Sequence, residues 1–190
     1  MRFCDGTMLI WIQQFNLKKV AGPLAVTLAL TLLCGCQTDK KDKNTSILRV
    51  HIEVTVPTAT SQSVSVLRAT PVLVTVQKDA VLTEANIIAA KLLDTPGGFA
   101  VQVKFDEDTG AWILQQYSAA NPGKHFAIYG QWSDKATDGR WLAAPLITRR
   151  IPDGVLSFSV DATREEAQRL VNGLNNYAKK SRGITPKAFK

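Results

Sequence analysis

The side chains able to do chemistry are few in this chain, and the thiols all lie near its start. Cys34 and Cys36 close the run Leu33-Cys34-Gly35-Cys36, and Cys4 is the third cysteine. His51 and His125 are the two histidines. Neither has a Cys, His or carboxylate at metal-ligand spacing, so a zinc site is not expected. Serine and aspartate are plentiful, but no nucleophile-elbow motif points to a Ser-His-Asp set. Asp106-Glu107-Asp108 gathers three acids, yet lacks the spaced ligands and the glycine of a calcium loop; acids opening a helix fit better. Gly97-Gly98 follows Pro96 and precedes a strand, so it is no phosphate cradle, which needs a helix N-terminus behind it. The residues predict no catalytic set, no metal and no cofactor.

What positions the thiols is clearer. Val20 to Leu33 is an apolar run of 14 residues directly behind Lys18-Lys19. Basic, apolar and small residues in that order are the grammar of an export signal. About 20 apolar residues are needed to cross a bilayer, which this run does not supply. Gly22-Pro23 and the polar text after Cys36 argue against a buried core helix. Leu33, Gly35 and Cys36 resemble the lipobox of bacterial lipoproteins. That resemblance implies a signal peptide over residues 1–35, with Cys36 as the lipidated first residue of the mature chain. It implies a protein of the cell envelope, held to the membrane by lipid and facing the extracytoplasmic side. Gln37 after the cysteine, in place of Asp, favours the outer membrane. Translation from Met8 instead of Met1 would shorten the signal without altering its logic. Cys4 and Cys34 leave with the signal and Cys36 is acylated, so no thiol remains for a disulfide.

Residues 36–190 suit one domain with tails, large enough to fold on a hydrophobic core alone. The formal charge of +7 falls to +5 once Arg2, Lys18, Lys19 and Asp5 are removed. Lys179, Lys180, Arg182, Lys187 and Lys190 account for that excess, so residues 36–178 are neutral and residues 179–190 form a basic tail. Such a tail is solvated, with weak attraction to anionic head groups as its functional reading. Nucleic acid is not an expected partner, because no recognition motif is present.

Residues 36–46 are a polar tether with nothing to bury. Strand text opens at Ile47, and from Leu48 to Val56 apolar and polar residues alternate, predicting a half-buried strand whose polar face carries His51. Strands follow at Ser63–Arg68 and Val72–Gln77. Thr83 with Asn86 predicts a short helical turn running into Ile87–Ala90, and Lys91–Asp94 a strand. Phe99–Phe105 alternates cleanly as a strand, and a helix from Gly110 to Ala120 buries Ile113, Leu114, Tyr117 and Ala120. Strands at Lys124–Trp132 and Trp141–Ile147 follow, the second made edge-like by Pro145. Asp153-Gly154 predicts a hairpin turn into Val155–Val160. Thr163 with Glu166 is a capping box opening a final helix striped by Ala167, Leu170, Val171, Leu174, Tyr177 and Ala178. The plan is α+β: a βαβββα core preceded by additional strands, with two main helices on an antiparallel-rich sheet.

Within residues 47–178, several short segments resemble the extracytoplasmic head region of SecD, the protein-export subunit. They are Phe105-Asp106 with Gly110-Ala111, Asn121, Gly123-Lys124 into Phe126-Ala127-Ile128, Ala144-Pro145 with Ile147, and Thr163 with Glu165-Glu166-Ala167 and Leu170. The hairpin lengthened by Tyr129 to Gly139, and the absence of a glycine from Leu156-Ser157-Phe158-Ser159, depart from that pattern. No transmembrane bundle follows, so the resemblance implies the fold and contact with exported chains, not proton-driven pulling. The expectation is a non-catalytic binder of exported polypeptides or of a translocon or envelope complex. An envelope hydrolase built on His51 or His125, or a purely structural lipoprotein, are the alternatives. Trp132 and Trp141, flanking one hairpin, and Pro145 on the neighbouring edge are the partner-binding candidates.

Overall fold

The computed structural model describes residues 44–133 and 136–183. The expected signal peptide, Cys36, most of the expected tether, Asp134, Lys135 and the residues from Ile184 lie outside the described residues. The chain divides into Met1–Lys40 and Lys41–Lys190, and everything described belongs to the second unit.

Elements follow the order β1 (Ile47–Ile52), β2 (Ser61–Val66), β3 (Val72–Gln77), β4 (Leu82–Thr83), a 3-10 turn (Glu84–Asn86), β5 (Ile87–Thr95) and β6 (Gly98–Phe105). Helix α1 (Gly110–Ala120), β7 (Phe126–Gln131), a 3-10 turn (Ala136–Asp138), β8 (Gly139–Ala143), β9 (Val155–Ser159) and α2 (Arg164–Arg182) complete it. All strand pairings are antiparallel, in three sheets: β4-β1-β7-β8, the hairpin β2-β3, and β5-β6-β9. The α+β plan is as read from the sequence, with the strands divided among small sheets.

The β4-β1-β7-β8 sheet is a shared wall between two cores. Leu48, Val50, Ile52, Phe126, Ile128 and Leu142 join β6, β9 and both helices in the larger core. On the opposite face Ala127 and the half-buried Trp141 meet Val64, Val66, Val74 and Val76 of the β2-β3 hairpin. Both faces are therefore covered. This overturns the expectation that His51 occupies a polar strand face: the hairpin roofs that face, and His51 is buried.

Local rules set the ends of elements. Thr83 and Asn86 do form a reciprocal capping box, but it supports a single 3-10 turn. Ile87 to Ala90 is strand, not helix: β-branched Ile87 and Ile88 suit a pleated surface, and β6 pairs with the segment along its length. Strand β1 stops at Ile52 rather than Val56, and Val56 is exposed. For α1, the cap comes from Asp106, whose Oδ1 accepts from the amides of Thr109 at 2.8 Å and Gly110 at 3.2 Å. Thr109 makes no side-chain cap bond. Within α1, Leu114 is buried, Ile113 and Tyr117 flank the core, and Ala120 is exposed. Ser118 takes the place foreseen for Ala120, its hydroxyl donating to the Gln115 carbonyl at 3.1 Å and accepting from the Ile151 amide at 2.9 Å.

Helix α2 is capped as expected, Thr163 Oγ1 accepting from Glu166 N at 3.2 Å and Glu166 Oε2 from Thr163 N at 2.9 Å. Its apolar stripe lies on the larger core. The chain before β1 crosses it at Gly173, where an added Cβ would come within 2.7 Å of the Ser46 amide nitrogen. Asn176 Nδ2 donates to the Asn44 carbonyl at 3.0 Å. Asn44 to Ser46, read as the end of the tether, thus belong to the packed domain. Asn175 bonds the outer edge of β5 on both sides: its Oδ1 accepts from Ala90 N and its Nδ2 donates to Ala90 O, each at 2.9 Å. A side-chain amide here takes the place of a neighbouring strand. Asn175→Leu should leave both Ala90 groups unpaired and lower stability by about 1–3 kcal/mol in urea unfolding, the cost of stranding part-buried backbone groups. Unchanged stability would show that water satisfies that edge instead.

Candidate functional site

The three partner-binding candidates sit in different environments. Trp132 is 5% exposed and packs in the larger core. The guanidinium of Arg140 lies 4.5 Å above its ring, a cation-π contact. The same side chain donates to Glu166 Oε2 at 2.7 Å and to the Asp161 carbonyl at 3.0 Å. Arg140 therefore ties the β7-β8 hairpin to the first turn of α2. Its bond to Glu166 holds that carboxyl below its usual range, with burial opposing and the Thr163 amide assisting. Asp161 is held down chiefly by Arg68, which reaches its two carboxylate oxygens at 3.1 Å.

Trp141 packs edge-on against His51, centroids 5.1 Å apart, and against Tyr129 at 5.7 Å. These contacts belong to the smaller core, so Trp132 and Trp141 form no exposed aromatic pair. Among the described residues the large aromatic that faces solvent is Trp112 on α1, at 60% exposure. Pro145 falls after β8, not within it. Its carbonyl accepts from Phe126 N at 3.0 Å, and Ile147 N donates to Lys124 O at 2.8 Å, so this segment is already paired to β7. The open edge expected at Pro145 lies elsewhere.

The histidines also part company. His51 Nδ1 is 2.9 Å from the Gln77 carbonyl, which fixes the hairpin to β1. Burial pushes its pKa below the ordinary 6.5, with the Gln77 bond and Asp79 opposing and Arg49 assisting. His125 Nδ1 lies 2.7 Å from Glu53 Oε2, and its amide donates to the same oxygen at 2.8 Å. Both sets join strand ends. Among the described residues no group of three or more His, Cys, Asp or Glu side chains is placed to hold a metal.

One concavity among the described residues had no signal in the sequence beyond two prolines in irregular text. A cleft of about 640 Å³ lies between β9 and the segment from Pro145 to Asp153. Leu146, 51% exposed, lines one side and Ser157 the other. Arg149 and Arg150 stand on its rim. Asp153-Gly154 does make a tight turn, with Gly154 at φ +66°, but no β8-β9 hairpin follows. Strand β9 pairs with β6 instead, because Ile151 is drawn to Ser118 of α1 and the Gly154 carbonyl accepts from Phe105 N at 2.9 Å.

The family model described as SecDF, P1 head subdomain, matches residues 58–178. A structure of SecDF, described as a membrane component that enhances protein export, is 16% identical with a TM-score of 0.49, covering 83% of this chain and 70% of that one. SecDF in a super-membrane-facing form is 17% identical with a TM-score of 0.50, covering 82% of this chain and 21% of that one, and shows the shared fold. The chain thus spans about a fifth of that SecDF. No curated protein matches the chain.

The state of His51 gives a pH prediction. Below about pH 6.5 the unfolded chain gains a proton that the folded His51 refuses. Stability present above that pH is therefore lost as pH falls through the lowered pKa. The melting temperature should drop between pH 7.5 and 5.5, and His51→Gln should flatten that slope. An identical slope in the variant would assign the pH dependence to other groups.

Proposed function

Because this chain belongs to the family of SecDF P1 head subdomains, we propose that it is a non-catalytic envelope protein, anchored by lipid on Cys36, that binds exported polypeptides or a translocon or envelope complex. The observation carrying the proposal is the extent of the match: residues 58–178 include both helices but for the last turn of α2, and every strand after β1. What is shared is the head as a folded unit. No helix among the described residues is long and apolar enough to cross a membrane. In this reading the acyl chains on Cys36 provide the attachment, since stable anchoring needs more than one chain or a second signal. The domain then faces the extracytoplasmic side, and Gln37 favours the outer membrane.

Two experiments test the two halves of the proposal. Cys36→Ala should abolish incorporation of labelled palmitate and release the protein from membranes; unchanged labelling and retention would refute the anchor. Photo-crosslinkers placed on the domain surface in intact cells should capture export substrates or translocon components. A full-length, membrane-bound protein that captures neither would refute the binding role.

A further inference from the structure

The cleft beside β9 has a specific shape in backbone terms. Ala90 spends its N–H and C=O on Asn175, so both face away from β6. Val103, opposite Ala90, accordingly directs its backbone groups toward β9, where Leu156 stands opposite. The bond from Phe105 N to Gly154 O lies on that same side. Antiparallel ladders alternate, so Leu156 and Phe158 bond to β6 while Val155, Ser157 and Ser159 turn their groups outward. The Val155 amide is taken by Asp153 Oδ1 at 3.2 Å. Among the described residues no strand pairs with the outer edge at Ser157 and Ser159.

The facing wall obeys the same alternation. Leu146 bridges His125, flanked by the Pro145–Phe126 and Ile147–Lys124 bonds, which turns the N–H and C=O of Leu146 away from β7 and toward the cleft. The two walls are joined where Asp161 N donates to Leu142 O at 2.8 Å and Arg140 donates to the Asp161 carbonyl at 3.0 Å. Beyond those bonds they diverge, leaving outward-facing backbone on both sides of a cleft of about 640 Å³. That volume is typical of ligand clefts.

We propose that this cleft is a strand-addition site: an extended polypeptide segment bearing carboxylate side chains pairs with the β9 edge at Ser157 and Ser159. This deepens, and rests on, the reading of the protein as a binder of exported polypeptides. The occupant follows from the walls. Unpaired backbone at strand spacing is complemented by another extended backbone, independent of its sequence. Exposed Leu146 offers apolar contact to the inward side chains. Arg149, exposed and lining the cleft, selects carboxylates, for which guanidinium is the complementary partner.

The test uses the full chain and fluorescein-labelled, reduced and carboxymethylated α-lactalbumin, an acidic protein held unfolded, with binding read by anisotropy. Ser157→Pro removes the outward N–H together with the hydroxyl and leaves the β6 ladder bonds of Leu156 and Phe158 in place. It should weaken binding at least tenfold. Ser157→Ala removes the hydroxyl that accepts from Gln102 at 2.8 Å and should bind within twofold of wild type. Arg149→Glu should weaken binding severalfold. Ser159→Pro provides the same backbone test where Ser157→Pro does not fold. Wild-type affinity in a folded proline variant, or equal losses in Ser157→Pro and Ser157→Ala, would overturn the edge assignment while leaving the binder reading intact. No binding by the wild type would overturn both.

Discussion

A strand edge carries backbone donors and acceptors that must find partners, and this requirement orders the domain. Dividing the strands among three small sheets multiplies the edges, and each is treated differently. The outer edge of β5 is covered by α2, whose Asn175 supplies at Ala90 the two bonds a strand would make. Strand β4 is only two residues long, offering little edge to pair. The hairpin is tied to the end of β1 through the bridge between Glu53 and Val76 and by His51 on the Gln77 carbonyl. On β9 Asp153 takes the Val155 amide, but among the described residues no strand pairs with the edge at Ser157 and Ser159, and that edge opens onto a cleft.

Helix α2 is the part on which these arrangements converge. Its stripe joins the larger core, Asn175 covers β5, Gly173 admits the incoming chain at Ser46, and Glu166 receives Arg140 from beneath Trp132. At its other end Arg182 reaches Asp106, the residue that caps α1. These charged contacts lie at the domain surface or its margin, where an isolated ion pair stabilises little. Their effect is positional: they set the helix in register with both sheets.

Much of this was legible because local rules and tertiary demands agree. Thr163 and Glu166 make both bonds of the capping box the spacing implies, and Phe99 to Phe105 is strand as its alternation indicates. The misreadings arise where a local signal was true but short, or where a distant element altered burial. The box at Thr83 exists, yet β6 claims Ile87 onward as a strand. His51 stands at a polar position of its strand, but the β2-β3 hairpin buries it. Trp132 looked exposed beside a polar loop, and Arg140 covers it. The cleft was not legible, since it arises from β9 choosing β6 over β8, a choice among distant pairings that Asp153-Gly154 does not encode. The family resemblance was visible in short positions from Phe105 to Leu170, and the family match extends it to residues 58–178.

The chain belongs to the family of SecDF P1 head subdomains, and the proposed strand addition at β9 requires its outward edge to be unpaired. The most direct measurement of that central claim is residue-resolved amide hydrogen exchange on the unliganded protein. An open edge predicts slow exchange at Leu156 and Phe158, whose groups bond to β6, and fast exchange at Ser157 and Ser159. Protection of Ser157 and Ser159 equal to that of their neighbours would mean that the edge is already paired in solution, and would contradict the account.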